Sequence, residues 1–128
     1  MTSDNGVIKR ITSKGEPGVK PDKGLKVKVN YEGRLEDGKV FDSSFKRGKP
    51  IHFPIGVGRV VKGWDIGIMS MELGEKAELT IASDYGYGDR GRKGRIPGGA
   101  TMIFKVELIE IEGKTAPKEE KIEAKPAP

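Results

Sequence analysis

The sequence predicts an α+β domain in which four to six antiparallel strands close over one short helix. Three observations carry this. Apolar and polar residues alternate with period two in several separate segments, the mark of half-buried strands. One segment alone switches to the 3, 4, 3 spacing of a helical face, with Val61, Trp64, Ile68 and Met71. Asp37-Gly38 joins two of the alternating segments, and both residue types tolerate the positive φ of a hairpin turn.

In chain order, Val7 and Ile11 frame a weak first strand. Leu25, Val27, Val29 and Tyr31 alternate with Lys26, Lys28 and Asn30, which gives a strand with one buried face. Asp37-Gly38 should then form a two-residue hairpin loop, with Lys39 to Phe45 as the return strand. Pro50-Ile51-His52-Phe53 also alternates and turns His52 towards water. Gly63 and Gly67 lie inside the helical segment, each costing ~1 kcal/mol against Ala, so packing must hold that helix. Glu78 to Ala82 places Leu79 and Ile81 on one face. Thr101 to Glu112 is the longest pattern: Met102, Phe104, Val106 and Leu108 share a face, and the phase then slips to Ile109 and Ile111, which suggests a bulge or bend. These elements belong to one domain over about 6–112. Residues 1–5 read as a disordered terminus. Residues 113–128, rich in Lys, Glu and Pro with Ile122 as the one large apolar side chain, read as a disordered charged tail or a linker.

Composition narrows the chemistry. The chain has 128 residues, 34% hydrophobic and 34% charged, with a net charge of +5 and a local basic cluster from Asp89 to Arg95. It has no cysteine, which removes disulfides, thiolate nucleophiles and cysteine-bound zinc. His52 is the only histidine, and nothing stands in for the missing members of a triad or multi-histidine metal site. No metal or cofactor is therefore expected. Gly86-Tyr87-Gly88-Asp89-Arg90-Gly91 spells a dinucleotide-binding fingerprint, but the segment after it cannot form the helix that reading needs. No apolar run approaches a membrane span, and the first residues have no secretory pattern. A cytoplasmic monomer is expected, with the nucleus as the alternative compartment and no membrane partner.

What remains is a small set of aromatics: one Trp, three Tyr and four Phe. Tyr31 and Phe41 lie on the hairpin, and Phe53 precedes the loop into the helix. Trp64 is on the helix's inner face, Tyr85 and Tyr87 open the glycine-rich loop, and Phe104 is in the last strand. In a sheet closing over one helix they either converge into an aromatic cleft or act as ordinary core. Pattern alone leaves both readings open.

Four stretches carry a resemblance. Tyr31-Glu32-Gly33-Arg34-Leu35-Glu36-Asp37-Gly38-Lys39-Val40-Phe41-Asp42-Ser43-Ser44 resembles the hairpin of the FKBP family of immunophilins. Val60-Val61-Lys62-Gly63-Trp64-Asp65 and Leu79 through Gly88 resemble the same family, as does Ile96-Pro97-Gly98-Gly99-Ala100-Thr101-Met102-Ile103-Phe104-Lys105-Val106-Glu107-Leu108. The match is collinear over about 7–111. It implies a curved antiparallel sheet wrapped around one short helix, and a peptidyl-prolyl cis/trans isomerase that binds proline-containing peptides or proteins and the macrolides tacrolimus and rapamycin.

The resemblance also implies roles. Trp64 forms the pocket floor. Tyr31, Phe41, Phe53, Val60, Val61, Ile96 and Phe104 form its walls, and Ile51 and Arg59 join the binding set. Asp42 and Tyr87 supply polar side chains, and the Val61 N–H supplies a donor. Tyr31, Phe41, Asp42, Trp64, Tyr87 and Phe104 are the expected catalytic group. Asp42 followed by two serines also fits a plain turn.

The chain departs from the family pattern in two places. Ile51 stands where the family commonly has an aromatic, which implies a shallower pocket and weaker macrolide binding. Arg92 and Arg95 make the 89–95 loop unusually basic; in the family this loop touches proteins captured with a drug, so such a partner could differ here. A proline-binding module with little turnover is the alternative function. A nucleic-acid-binding domain is not expected, because the aromatics are not interleaved with Lys and Arg as stacking platforms require.

Overall fold

The computed structural model describes residues 6–92, 96–112 and 114–115. The expected disordered terminus 1–5, Arg95 and the expected tail from 116 onward lie outside the described residues.

The fold is organised around β2 (Lys26–Leu35). Val27, Val29, Tyr31 and Leu35 are buried on its inner face, as period-two alternation requires. Along its whole length β2 pairs antiparallel with β6 (Met102–Ile111). β5 (Lys76–Ile81) pairs with β6 on the other side, and β1 (Val7–Ser13) with β5. On its remaining edge β2 pairs with β3 (Val40–Ser43) at one end and with β4 (Ile51–Pro54) at the other. The two-residue strand β7 (Lys114–Thr115) pairs with the end of β6. The described residues thus form one seven-stranded antiparallel sheet, of order β1-β5-β6-β2-β3 with β4 and β7 beside this path. That exceeds the four to six strands expected, and the sheet runs past residue 112.

Helix α2 (Lys62–Met69) packs across the inner face of the sheet, burying Trp64 and Ile68, while Met71 and Leu73 continue the core beyond its end. Its two glycines, unfavourable as helix formers, are required by the contact. A Cβ on Gly67 would stand 2.8 Å from the Leu79 side chain. The helix therefore lies closer to β5 than any larger residue permits. β1 is fastened to this unit by a buried ion pair, with Lys9 Nζ 3.0 Å from Glu75 Oε2 and 3.2 Å from the Ser70 carbonyl.

Several expectations need correction. The return strand expected over 39–45 ends at Ser43. There the Ser43 hydroxyl accepts from the Lys46 N–H, starting a single helical turn, α1 (Ser44–Arg47). This turn fills the gap between β3 and β4, where the Ser44 hydroxyl accepts the Tyr31 N–H at 2.8 Å. Phe45 is left 54% exposed. The hairpin loop is three residues long, since Leu35 N–H donates to the Lys39 carbonyl, and Gly38 takes a positive φ of 94°. Val7 and Ile11 both lie on β1, as expected, with Val7 buried and Ile11 exposed. The expected bulge near Ile109 is present: Lys28 faces Glu110 but Val29 faces Leu108, which leaves Ile109 as the extra residue.

Candidate active site

The sheet, α2 and the glycine-rich loop enclose a cavity of about 200 Å³. Trp64 reaches it from the first turn of α2, Tyr31 from β2, Phe104 from β6 and Ile51 from β4. Arg59, Val60 and Val61 come from the loop before α2, and Tyr87, Arg92 and Ile96 from the loop after β5. Phe41 and Asp42 complete the lining from β3. Consecutive strand residues normally face opposite ways. A bulge resolves this: Gly33 faces Asp42 while Arg34 faces Val40, so Phe41 is the extra residue and both side chains reach the same cavity.

One expected wall residue stands elsewhere. Phe53 is buried but does not line the cavity; its ring lies 5.7 Å from that of Trp64 and supports the floor. Tyr85 is also outside the lining, with the Lys62 ammonium 5.9 Å from its ring centroid.

The aromatic rings hold each other by their edges. Trp64 stands edge-on to Tyr31 at 4.9 Å and to Phe104 at 5.2 Å, and Phe41 edge-on to Phe104 at 5.6 Å. This is the favourable quadrupole arrangement, and it fixes the rings relative to each other. Gly33 makes room for two of them: a Cβ there would meet Phe104 at 2.7 Å and Phe41 at 2.8 Å. The Trp64 indole N–H is buried without a hydrogen-bond partner among the described residues. Val61 is the N-cap of α2, so its carbonyl accepts from Trp64 and Asp65 while its own N–H lies outside the helical ladder.

One polar cluster sits at the edge of this apolar cavity. Tyr31 Oη donates to Asp42 Oδ2, Arg47 Nη1 donates to Asp42 Oδ1 at 2.5 Å, and Arg47 Nη2 donates to Tyr31 Oη at 3.0 Å. Burial pushes the Asp42 carboxyl up, but the hydrogen bonds from Tyr31 and Arg47 outweigh it and hold its pKa below the ordinary 3.8. Burial first, and then the bond to Asp42, raise the Tyr31 hydroxyl above 10.0. Asp42, which also accepts the Ser43 N–H at 2.9 Å, is thus a fixed anion held by three donors and balanced by Arg47. Arg47 was missed at the sequence level. Its signal was its spacing of five from Asp42, which acquires meaning only once α1 folds the chain back.

The glycine-rich loop shows no dinucleotide site. A 3-10 turn (Ser83–Tyr85) leads into turns, no helix follows it among the described residues up to Arg92, and Arg92 and Ile96 exchange backbone hydrogen bonds of 2.7 and 2.8 Å. No group of three or more His, Cys, Asp or Glu able to hold a metal occurs among the described residues, nor any helix long and apolar enough to cross a membrane. A larger groove of about 470 Å³ lies between β1, β5, β6 and Phe45. Its side chains are mostly charged and solvent-facing, with Phe45 its single aromatic. The smaller cavity is where the aromatic side chains converge beside the fixed Asp42 and the free end of α2.

Comparison with known proteins gives a consistent result. Residues 18–109 match the family model described as FKBP-type peptidyl-prolyl cis-trans isomerase. The FK506-binding protein 1A of Aspergillus fumigatus is 53% identical over 111 residues, which cover 87% of this chain and 99% of the relative. A peptidyl-prolyl cis-trans isomerase of Schizosaccharomyces pombe is 49% identical over 111 residues, covering 87% of this chain and 99% of its own length. Among solved structures, the crystal structure of AtFKBP13 superposes with a TM-score of 0.78 at 40% identity, over 86% of this chain and 96% of that one.

Proposed function

The chain belongs to the FKBP-type peptidyl-prolyl cis-trans isomerases, and from that premise we propose that the Trp64-floored cavity is where it rotates X–Pro bonds. The chain is an isomerase of this type. The observation that supports the site is the edge-on packing of Tyr31 and Phe104 against Trp64 and of Phe41 against Phe104, which makes an aromatic receptacle with charge only at its edge.

The reaction needs no acid, base or nucleophile. Resonance gives the amide C–N bond its ~18–20 kcal/mol barrier and places negative charge on the oxygen, which water stabilises. The twisted transition state has lost that resonance and much of the charge separation. A dry aromatic wall therefore disfavours the planar amide more than the twisted one. The proline ring rests on Trp64 between Phe41 and Phe104, and the Tyr87 hydroxyl and Val61 N–H hold the peptide carbonyls in a turn. Asp42, fixed by Tyr31 and Arg47, sets the polarity of the rim. No covalent step occurs.

Tacrolimus and rapamycin occupy the same cavity in this proposal, with Ile51 making one wall lower than an aromatic would. A drug-dependent protein partner would meet the loop that begins at Asp89. The expected monomeric state and cytoplasmic placement, with the nucleus as the alternative, belong to the proposal too. Sedimentation and imaging of a tagged full-length chain test them. The test of the site is a prolyl-isomerisation assay on Phe41→Ala and Trp64→Ala. Wild-type rates in folded variants would defeat it, whereas saturable proline-peptide binding without turnover would favour the binding-module alternative.

A further inference from the structure

The mouth of the cavity carries two cations with no acid paired to them among the described residues. Arg59 and Arg92 both line the cavity and both are exposed. Among the described residues neither forms an ion pair; the pairs are made by Lys9, Arg10, Lys28, Arg34 and Arg47. Two carboxylates beside them, Asp42 and Asp65, are engaged elsewhere, and Asp89, earlier on the Arg92 loop, forms no ion pair with either arginine among the described residues. Asp42 is neutralised by Arg47. Asp65 accepts the N–H groups of Gly56 at 2.8 Å and Gly58 at 2.9 Å.

Both arginines are also held in place. The Asp65 bonds pin the loop that carries Arg59. Arg92 is bound through its backbone to Ile96 at 2.7 and 2.8 Å, and its guanidinium stands over the Tyr87 ring, 6.0 Å from the centroid. The positive charge is thus a property of the mouth, placed beside low-dielectric aromatic walls that concentrate its field.

We propose that Arg59 and Arg92 are specificity residues that select substrates with a carboxylate side chain next to the proline, that is, Glu or Asp in the X–Pro or Pro–X position. The isomerase chemistry is indifferent to this charge, because the barrier lies in the amide. The charge acts on encounter and binding, so it appears in kcat/KM and weakens as salt screens it. This rests on the reading of the cavity as the isomerase site.

The test is kcat/KM of the full chain on two peptide series, with Glu, Gln, Lys or Leu before the proline, and the same set after it. In at least one series Glu should exceed Gln about fivefold and Lys should fall below Gln at low ionic strength, the spread shrinking to about twofold at ~0.5 M salt. The Arg59→Gln/Arg92→Gln variant should lose the spread, and Arg59→Glu/Arg92→Glu should reverse it. Ratios between peptides cancel any general loss of activity in these variants. Equal rates for Glu, Gln and Lys in both series, with Leu peptides turned over, would overturn the rim proposal alone. So would a spread that survives charge reversal. Absence of turnover on every peptide would overturn the site reading with it.

Discussion

Gly63 lies so close to Ile81 that a Cβ at the glycine would stand 2.6 Å from the isoleucine Cγ2. Helix propensity and packing therefore pull in opposite directions at this position. Propensity alone makes Gly63→Ala stabilising by about 1 kcal/mol. The Ile81 side chain is fully buried and meets the added methyl along most of its length. Overpacking of that kind costs typically about 1–3 kcal/mol, so the net effect should be a loss. Urea unfolding should show Gly63→Ala less stable than wild type, and Ile81→Ala should relieve part of that cost in the double variant. A more stable Gly63→Ala would show that the helix can move off the sheet.

Trp64 serves the core and the cavity together, while Phe41 serves mainly the cavity. Trp64 is 5% exposed and touches three other rings, so Trp64→Ala should cost about 3–5 kcal/mol of stability. Phe41 is only half-buried, and Phe41→Ala should cost less while still lowering kcat/KM about tenfold or more. Denaturation midpoints beside isomerisation rates separate the two effects.

The Tyr31–Asp42–Arg47 cluster makes stability depend on pH at both ends. Asp42 has a depressed pKa in the folded state, so its contribution is present above its ordinary 3.8 and is lost as pH falls through the folded value. Tyr31 has a raised pKa, so its contribution is present below 10.0 and is lost as pH rises through the folded value. Tyr31→Phe removes one of the donors that depress Asp42, so the carboxyl should titrate higher than in wild type. Carboxyl-carbon NMR titration measures this directly, and an unchanged Asp42 titration would leave Arg47 and the Ser43 N–H as its effective partners.

Lys9 and Glu75 tie the edge strand to the helix–β5 connection. Glu75 is 1% exposed and also accepts the Glu72 N–H at 3.1 Å. Removing one partner strands a buried charge, so Lys9→Met should destabilise by about 3 kcal/mol. The double variant Lys9→Met/Glu75→Leu should recover a good part of this. Thermal unfolding of the three variants checks the pattern, and simple additivity would contradict it.

Ile51 lines the cavity opposite Val29 on β2. Ile51→Phe would raise this wall and should tighten tacrolimus binding about threefold to tenfold through added apolar contact. Trp64 is the only tryptophan, so its fluorescence reports occupancy without ambiguity. Equal affinities would show that the aromatic at this place adds nothing to the grip.

Periodicity and motif order were enough for the sheet, the helix and the family, because each is written in local residue spacing. Trp64 on a 3, 4, 3 helical face and the slip at Ile109 were both legible without any coordinates. The scarcity of aromatics was legible as well, but pattern alone left open whether those rings line a cavity or fill the core. What spacing could not carry were the contacts between elements. The bulge that turns both Phe41 and Asp42 inward depends on how β3 meets β2. Phe53's place beside Trp64 depends on how β4 pairs with β2, where Phe53 faces Val27. The pairing of Arg47 with Asp42 depends on α1 turning the chain where continued alternation had suggested strand. Gly63 and Gly67, costly in an isolated helix, are needed only because β5 approaches to contact distance. Local sequence sets which faces are apolar; the relative placement of those faces comes from packing, and packing alone decided which side chains share the cavity.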